Sequence, residues 1–318
     1  LRNCDSHSMK KFSLLLFLAL FLPFSVHAEE GPAVLVTGAS SCIGKRTTEL
    51  QAKQGFYVYA GARKQKDLDM LNAIKAVTAV RLDVTVPGDI EAAVAQVVEG
   101  GRGLYGLVNN AGVAVIQPLI EVEEDQLNFQ FDVNVYGPYR ITKAFAPLLI
   151  ESKGRVVNIS SISGVLSGEL AGPYSMSKHA LEAYNDSLAL EMAGLGVKVS
   201  AVEPGNYASE LGKSSVAQAA SKGLSFEDSK FKEKIEVIMQ RVSDRSQMAD
   251  PIAVARAIQH ALEDDTPKAR YMVVPNQREA EITIRKLLQE MAEMNQDHAY
   301  SYDRDSLVKM LDETLEQL

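Results

Sequence analysis

From residue 33 onward, short apolar runs alternate with longer stretches whose apolar positions recur at helical spacing. The runs fall at Ala33–Val36, Phe56–Ala60, Val77–Leu82, around Leu107-Val108, and at Arg155–Ile159, Val197–Val202 and Tyr271–Val274. Several are nearly unbroken and rich in Val, Ile and Leu, as strands buried on both faces are. Helical patterns separate them over Lys45–Gln54, Asp89–Glu99, Glu123–Glu151 and Tyr174–Met192. Strand–helix alternation of this kind predicts an α/β fold: a doubly wound parallel sheet of about seven strands, covered by helices on both faces. No linker, repeat or low-complexity tract interrupts it, so residues 29–275 read as one domain. Residues 206–248 are polar, rich in Ser and Lys, and weakly periodic. Following a strand end, they suit either a lid over a site or a plain surface excursion. In the C-terminal extension, 276–318, residues 278–294 read as an amphipathic helix. Its Leu and Met stripe suits packing, a subunit contact or a membrane-surface contact.

The first 28 residues have a different pattern. Met9, Lys10 and Lys11 precede an apolar run from Phe12 to Val26, and Val26-His27-Ala28 offers a small-residue exit. A basic start, a short apolar centre and such an exit describe a secretory signal peptide cleaved after Ala28. As a helix the run would reach about 22 Å, against a hydrocarbon core of about 30 Å, and Pro23 interrupts it. Export through the secretory pathway to a periplasm or lumen is the expectation. An uncleaved membrane anchor is the alternative.

The composition is that of a globular enzyme-sized chain: 318 residues, 46% hydrophobic and 23% charged. A net charge of −8 lacks the basic footprint of a nucleic-acid binder. The two cysteines are Cys4 and Cys42. Cleavage would remove the first and leave the second unpaired. His7, His27, His179, His260 and His298 are scattered without metal-ligand spacing, so no metal site is expected, and His179 reads as structural.

Candidate chemistry sits where strands end. Thr37-Gly38-Ala39-Ser40-Ser41-Cys42-Ile43-Gly44 joins the first strand to the first helix. Glycines there allow a tight turn and close approach of a pyrophosphate to free helix N–H groups. After the second strand comes Gly61-Ala62-Arg63-Lys64, with no acid to hold a ribose 2′-hydroxyl. Arg63 instead can pair with a 2′-phosphate, which favours NADP over NAD, the alternative. Tyr174 and Lys178 lie at i and i+4, on one face of a helix.

These pieces together resemble the short-chain dehydrogenase/reductase family, over roughly residues 32–275. The glycine turn is similar to its TGxxxGxG fingerprint, with Cys42 in place of the middle glycine. Asn109-Asn110-Ala111-Gly112 matches its NNAG motif, and Ser161 precedes Tyr174 by the family's 13 residues. Asn134 matches the fourth active-site position. The resemblance implies that Gly38, Ser40, Ser41, Ile43 and Gly44 face the cofactor's phosphates. Asp83 and Val84 would lie by its adenine, and Asn110, Ala111 and Gly112 by the adenosine ribose. It implies that Pro204 and Gly205 shape the nicotinamide pocket and that Ser209 bonds the carboxamide. Asn134, Ser161, Tyr174 and Lys178 would be catalytic, with Tyr174 as acid/base, Ser161 bonding the substrate oxygen and Asn134 holding a relay water. The overall flavour is similar to members acting on lipophilic alcohols and ketones such as retinoids and steroids. Members are commonly homo-oligomers, packed through the helices that contain Asn134 and Tyr174.

The chemistry needs these residue types. A phenol donates a proton to a carbonyl oxygen, but its free pKa is about 10. A cation about 4 Å away, at an effective dielectric near about 20, contributes about 4 kcal/mol, so Lys178 is expected to lower that value by up to about three units. Cys42 is expected to be a small packed residue rather than a reactive thiol. A non-catalytic scaffold or sensor that binds a nicotinamide nucleotide is the alternative function. A Ser–His hydrolase finds no GxSxG elbow around Ser161.

Overall fold

The computed structural model describes residues 31–243, 245 and 247–317; the leader expected over 1–28 lies outside them. Seven strands form one parallel sheet: β1 (Ala33–Val36), β2 (Tyr57–Ala62), β3 (Val77–Arg81), β4 (Gly106–Asn109), β5 (Arg155–Ile159), β6 (Lys198–Pro204) and β7 (Arg270–Val273). Their order is β3-β2-β1-β4-β5-β6-β7. Residues alternate between the faces, so Val34 and Val36 enter one core while Ala33 and Leu35 enter the other. Helices α1 (Cys42–Lys53), α2 (Gln65–Asn72) and α9 (Ile252–Glu263) cover the first face. Helices α3 (Pro87–Glu99), α5 (Gly137–Glu151) and α6 (Gly172–Ala193) cover the second.

The long helix expected over 123–151 is broken. Helix α4 (Glu124–Phe131) passes into α5 through a π-helical turn at Asp132–Tyr136, followed by Gly137-Pro138. Gly137 is required where it stands, because a Cβ would lie 2.8 Å from Val84 Cγ2. Residues 206–248 also contain more structure than their weak periodicity implied: α7 (Leu211–Ser221) and α8 (Lys232–Ser243). These helices and the turn between them close over residues 114–125 and Glu169 through polar contacts. Ser215 Oγ donates to Ala114 O, Ser229 Oγ bonds Glu121 (2.6 Å), and Lys222 and Lys234 pair with Asp125 (2.7 Å) and Glu169 (2.6 Å). Two C-terminal helices follow, α10 (Gln277–Met294) and α11 (Arg304–Glu316).

The sheet order reverses direction at β1, whose neighbours are β2 and β4. A crevice therefore opens beyond the carboxyl ends of β1 and β4, where α/β folds of this topology bind ligands.

Candidate active site

The glycine turn and the Asn109–Gly112 turn are tied together at that crevice. Thr37 Oγ1 accepts from the backbone N–H of Asn110 (2.9 Å) and Ala111 (3.0 Å). Asn110 Nδ2 donates to the carbonyls of Thr37 (2.9 Å) and Gly38 (3.0 Å). No side chain fits between them: a Cβ on Gly38 would lie 2.9 Å from Ala111 Cα, and one on Gly44 would lie 2.2 Å from Gly38 O. Ser41 is the N-cap of α1, and its side chain caps none of the helix's free N–H groups. A turn whose two ends, Gly38 and Gly44, lack a Cβ, leading into an uncapped helix N-terminus, suits a bound phosphate group.

Cys42 departs from expectation. It is partly exposed rather than packed, and its φ is +50°, the region in which glycine is unstrained. Its Sγ accepts from the Glu210 N–H (3.1 Å), linking the phosphate turn to the start of the lid. Cys42 and Ser209 line a cavity of about 400 Å³ with Lys45, Arg46, Lys213 and Arg245, against the carboxylates of Glu210 and Asp250. Four cations facing two acids give it a positive balance suited to an anionic ligand. Ser40 and Ile43 are part-buried in the turn, and Ile43 packs against the core.

Arg63 and Asp83 meet at the ends of β2 and β3. Arg63 Nη1 lies 3.6 Å from Asp83 Oδ2, and Asp83 Oδ1 accepts from Thr85 N (3.0 Å) and Oγ1 (2.7 Å). Burial opposes ionisation of Asp83, but the Thr85 bonds and Arg63 outweigh it and hold the carboxyl below its ordinary range. Val84 is a core residue, 5% exposed and set against Gly137, so only its backbone is open to a ligand.

The reacting end is built from β5, the π turn and α6. Lys178 is buried, its Nζ donating to Ile159 O (2.7 Å) at the end of β5 and lying 5.7 Å from the centre of the Tyr174 ring. Ser161, at the next turn, accepts from Ser163 N (3.0 Å), donates to Pro204 O (3.4 Å) and lies beside the Tyr174 phenol. Asn134 sits in the π turn, a local distortion frequent at functional sites. Its Oδ1 accepts from Val113 N (2.8 Å), and its Nδ2 donates to Val113 O (3.0 Å) and Ser177 Oγ (3.1 Å). Gly205 backs onto the C-terminal segment, where a Cβ would lie 2.2 Å from Glu279 Oε2. His179 points away, bonded to Ser175 O (2.9 Å).

The electrostatics correct one expectation. Burial raises the Tyr174 phenol above its ordinary value, and the neighbouring Ser161 hydroxyl and Arg245 only partly offset this. Lys178 is itself lowered to about 8 by burial, with Glu182 acting in the opposite direction. In the free protein the phenol therefore stays protonated near neutral pH, as does most of the ammonium.

Thr37, Ser177, Arg245 and the acids behind Lys178 also belong to the site, though no role follows for them from the motifs. Thr37 was part of the turn motif, and Ser177 follows Tyr174 by three residues on one helix face. Arg245 carried no local pattern.

Comparison with known proteins agrees with this geometry. Residues 32–220 match the family model for short chain dehydrogenases. The chain is 34% identical over 298 residues to rat mitochondrial D-beta-hydroxybutyrate dehydrogenase, covering 84% of this chain and 86% of that one. It is 36% identical over 251 residues to an NADPH-dependent 3-dehydrocapnine reductase of Ornithobacterium rhinotracheale, covering 76% and 87%. A short-chain dehydrogenase structure from Streptomyces avermitilis superposes with a TM-score of 0.71 at 32% identity, over 84% of this chain and 96% of that one. The chain belongs to the short-chain dehydrogenase family. It is an oxidoreductase that interconverts alcohol and carbonyl groups of a small molecule with a nicotinamide cofactor.

Proposed function

We propose that this enzyme is an NADP(H)-dependent reductase of lipophilic carbonyl compounds, with Tyr174 as its proton donor. The observation that carries the reading is the convergence of the Ser161 hydroxyl, the Tyr174 phenol and the buried Lys178 ammonium beside the open end of β5. When bound, the cofactor supplies a hydride to the carbonyl carbon. The chain's own residues handle the oxygen. Ser161 hydrogen-bonds it, and Tyr174, protonated at neutral pH, gives it the proton that completes the alcohol. Lys178 then stabilises the phenolate left behind and returns a proton to it. Both polar atoms of the Asn134 amide are engaged by Val113 and Ser177. Any relay water it holds is therefore held through its backbone.

Arg63, placed after β2 where an NAD-binding acid would stand, supports NADP, as does the reductase relative named for NADPH. Exposed Leu119 and Ile120 support a lipophilic substrate. Leu119 packs over Gly172, two residues before Tyr174, where its Cγ fills the position of a Cβ. The reading includes a single domain over 29–275, closed by a lid over 206–248, and export directed by residues 1–28. A natural product beginning at Glu29 would support cleavage; an intact Met9 would favour the anchor.

The test is Tyr174→Phe assayed with NADPH and a panel of apolar ketones. Loss of turnover by about a hundredfold or more, with cofactor affinity retained, is expected of a positioned acid. Unchanged turnover would end the Tyr174 assignment. Absence of turnover in the parent protein, with cofactor bound, would turn the reading toward a sensor. Arg63→Ala should weaken NADPH far more than NADH.

A further inference from the structure

The C-terminal extension presents its apolar side away from the domain. Helix α10 buries one residue, Thr283 (1% exposed), while Ile284, Leu287, Leu288 and Met291 are 40–47% exposed and Met294 is 73% exposed. Helix α11 buries none of its residues, and Val308, Leu311 and Leu315 are exposed along one side. In α10 the series Ala280, Ile284, Leu287, Met291, Met294 follows the alternating four- and three-residue spacing of a helix–helix seam.

The extension is nevertheless firmly built. Asn276 and Glu279 form a reciprocal cap at the start of α10, with the Glu279 N–H donating to Asn276 Oδ1 (3.0 Å) and Asn276 Nδ2 to Glu279 Oε1 (3.0 Å). Glu279 also accepts from Asn206 N (2.8 Å), anchoring α10 to the domain. At the elbow, Asn295 both donates to Tyr302 O and accepts from Tyr302 N, each at 2.8 Å. Asp303 caps α11. An ordered pair of helices with an unpartnered apolar side implies an occupant.

We infer that the occupant is a second copy of this chain, joined across a two-fold axis by antiparallel pairing of α10. Charge decides against a lipid surface. Residues 277–316 carry ten acids and five bases, whereas helices that lie on anionic bilayers carry Lys and Arg on their polar face. Charge also sets the orientation. The first part of α10 carries Arg278, Arg285 and Lys286 against Glu279 and Glu281, a net of +1, and its last part carries Glu290 and Glu293, a net of −2. Antiparallel pairing lays each basic part against the partner's acidic part and opposes the helix dipoles; parallel pairing would stack the acids. A two-fold axis makes the contact self-complementary, so every favourable pair occurs twice. This face is separate from α5 and α6, through which the family resemblance places an interface, and the two can coexist.

The test is the mass of the whole purified protein by light scattering and sedimentation. The parent is expected to assemble, and Leu287→Glu, at an exposed position, should halve the mass while leaving circular dichroism and cofactor binding unchanged. Arg285→Glu with Lys286→Glu should also halve it. Adding Glu290→Lys and Glu293→Lys to that chain should restore it. A monomeric parent, a mass that Leu287→Glu leaves unchanged, or no rescue by the four-residue swap would each overturn the inference. So would a parent that floats with phosphatidylcholine–phosphatidylglycerol vesicles through Leu287 while remaining monomeric. None of these readings depends on turnover, so failure of the proposed reaction leaves the assembly test intact.

Discussion

At position 42 a side chain occupies left-handed backbone, with φ +50°. A Cβ there costs roughly 1–2 kcal/mol, while glycine's greater freedom in the unfolded chain costs roughly 0.5–1 kcal/mol. Cys42→Gly should therefore leave stability unchanged or raise it by up to about 1.5 kcal/mol. Cys42→Val, adding a β-branch in the same conformation, should lose more than about 1 kcal/mol relative to the glycine variant. Urea midpoints for the two variants measure this, and coincident midpoints would remove the strain account. A second residue acts on the chemistry from behind. Glu182 lies one turn of α6 from Lys178 and holds the lysine's pKa up against the burial that lowers it to about 8. Removing that negative charge should lower the value further. Glu182→Gln should thus move the alkaline limb of kcat/KM for reduction to lower pH. A limb that stays or rises would show that Glu182 does not set the charge of Lys178. Position 42 was visible in the sequence as a departure from a motif. Its conformation and its bond to Glu210 were not, because they depend on how the lid returns to the turn.

At the scale of elements, the β5 run was read to the residue. Parallel strands buried on both faces produce apolar runs that need no partner to be recognised. Helices were less legible where local spacing did not carry them. The π turn at Asp132–Tyr136 lies within an otherwise continuous helical pattern, and it is held by Asn134 and Gln130 bonding Val113 and Val115, over 15 to 21 residues away. Helix α7 shows little apolar stripe, α8 carries one at Ile235, Ile238, Met239 and Val242 within a Ser- and Lys-rich stretch that masks it, and both meet their neighbours through polar contacts. The same polarity predicts their behaviour. Their ion pairs to Asp125 and Glu169 lie at the surface, where such pairs contribute roughly 0.2–1 kcal/mol and are screened by salt. Raising salt from about 0.1 to about 1 M, Debye lengths of roughly 10 and 3 Å, should speed hydrogen exchange in peptides covering 211–243. Peptides from α5, packed in the core, should not change. Equal protection at both concentrations would mean that apolar contacts hold the lid.

For the whole molecule, the last strand is joined to the catalytic helix by charge as well as by sheet pairing. From β7, Arg270 reaches Asp186 (2.8 Å) and Glu182 (3.2 Å) on α6 and Glu203 (3.2 Å) on β6. No motif announces this cluster, since its members are 67 or more residues from Arg270 and meet only once the sheet has formed. Glu203 and Glu182 are both buried. Burial first, then the charge of Glu182, push the Glu203 carboxyl up to about 7, and Arg270 only partly compensates. The sign of the consequence follows from proton counts. Between the ordinary glutamate value and about 7, the folded state keeps a proton on Glu203 that the unfolded chain has released, so this group makes stability fall as pH rises through that window. Glu203→Gln cannot ionise, and its amide oxygen can still accept from Arg270. The variant should therefore gain on the parent as pH rises, with the difference in unfolding free energy moving in its favour by at least about 1 kcal/mol between pH 5 and pH 8. Denaturation of both proteins at the two pH values measures this. A difference that is constant with pH, or that moves toward the parent, would place the retained proton elsewhere in the cluster.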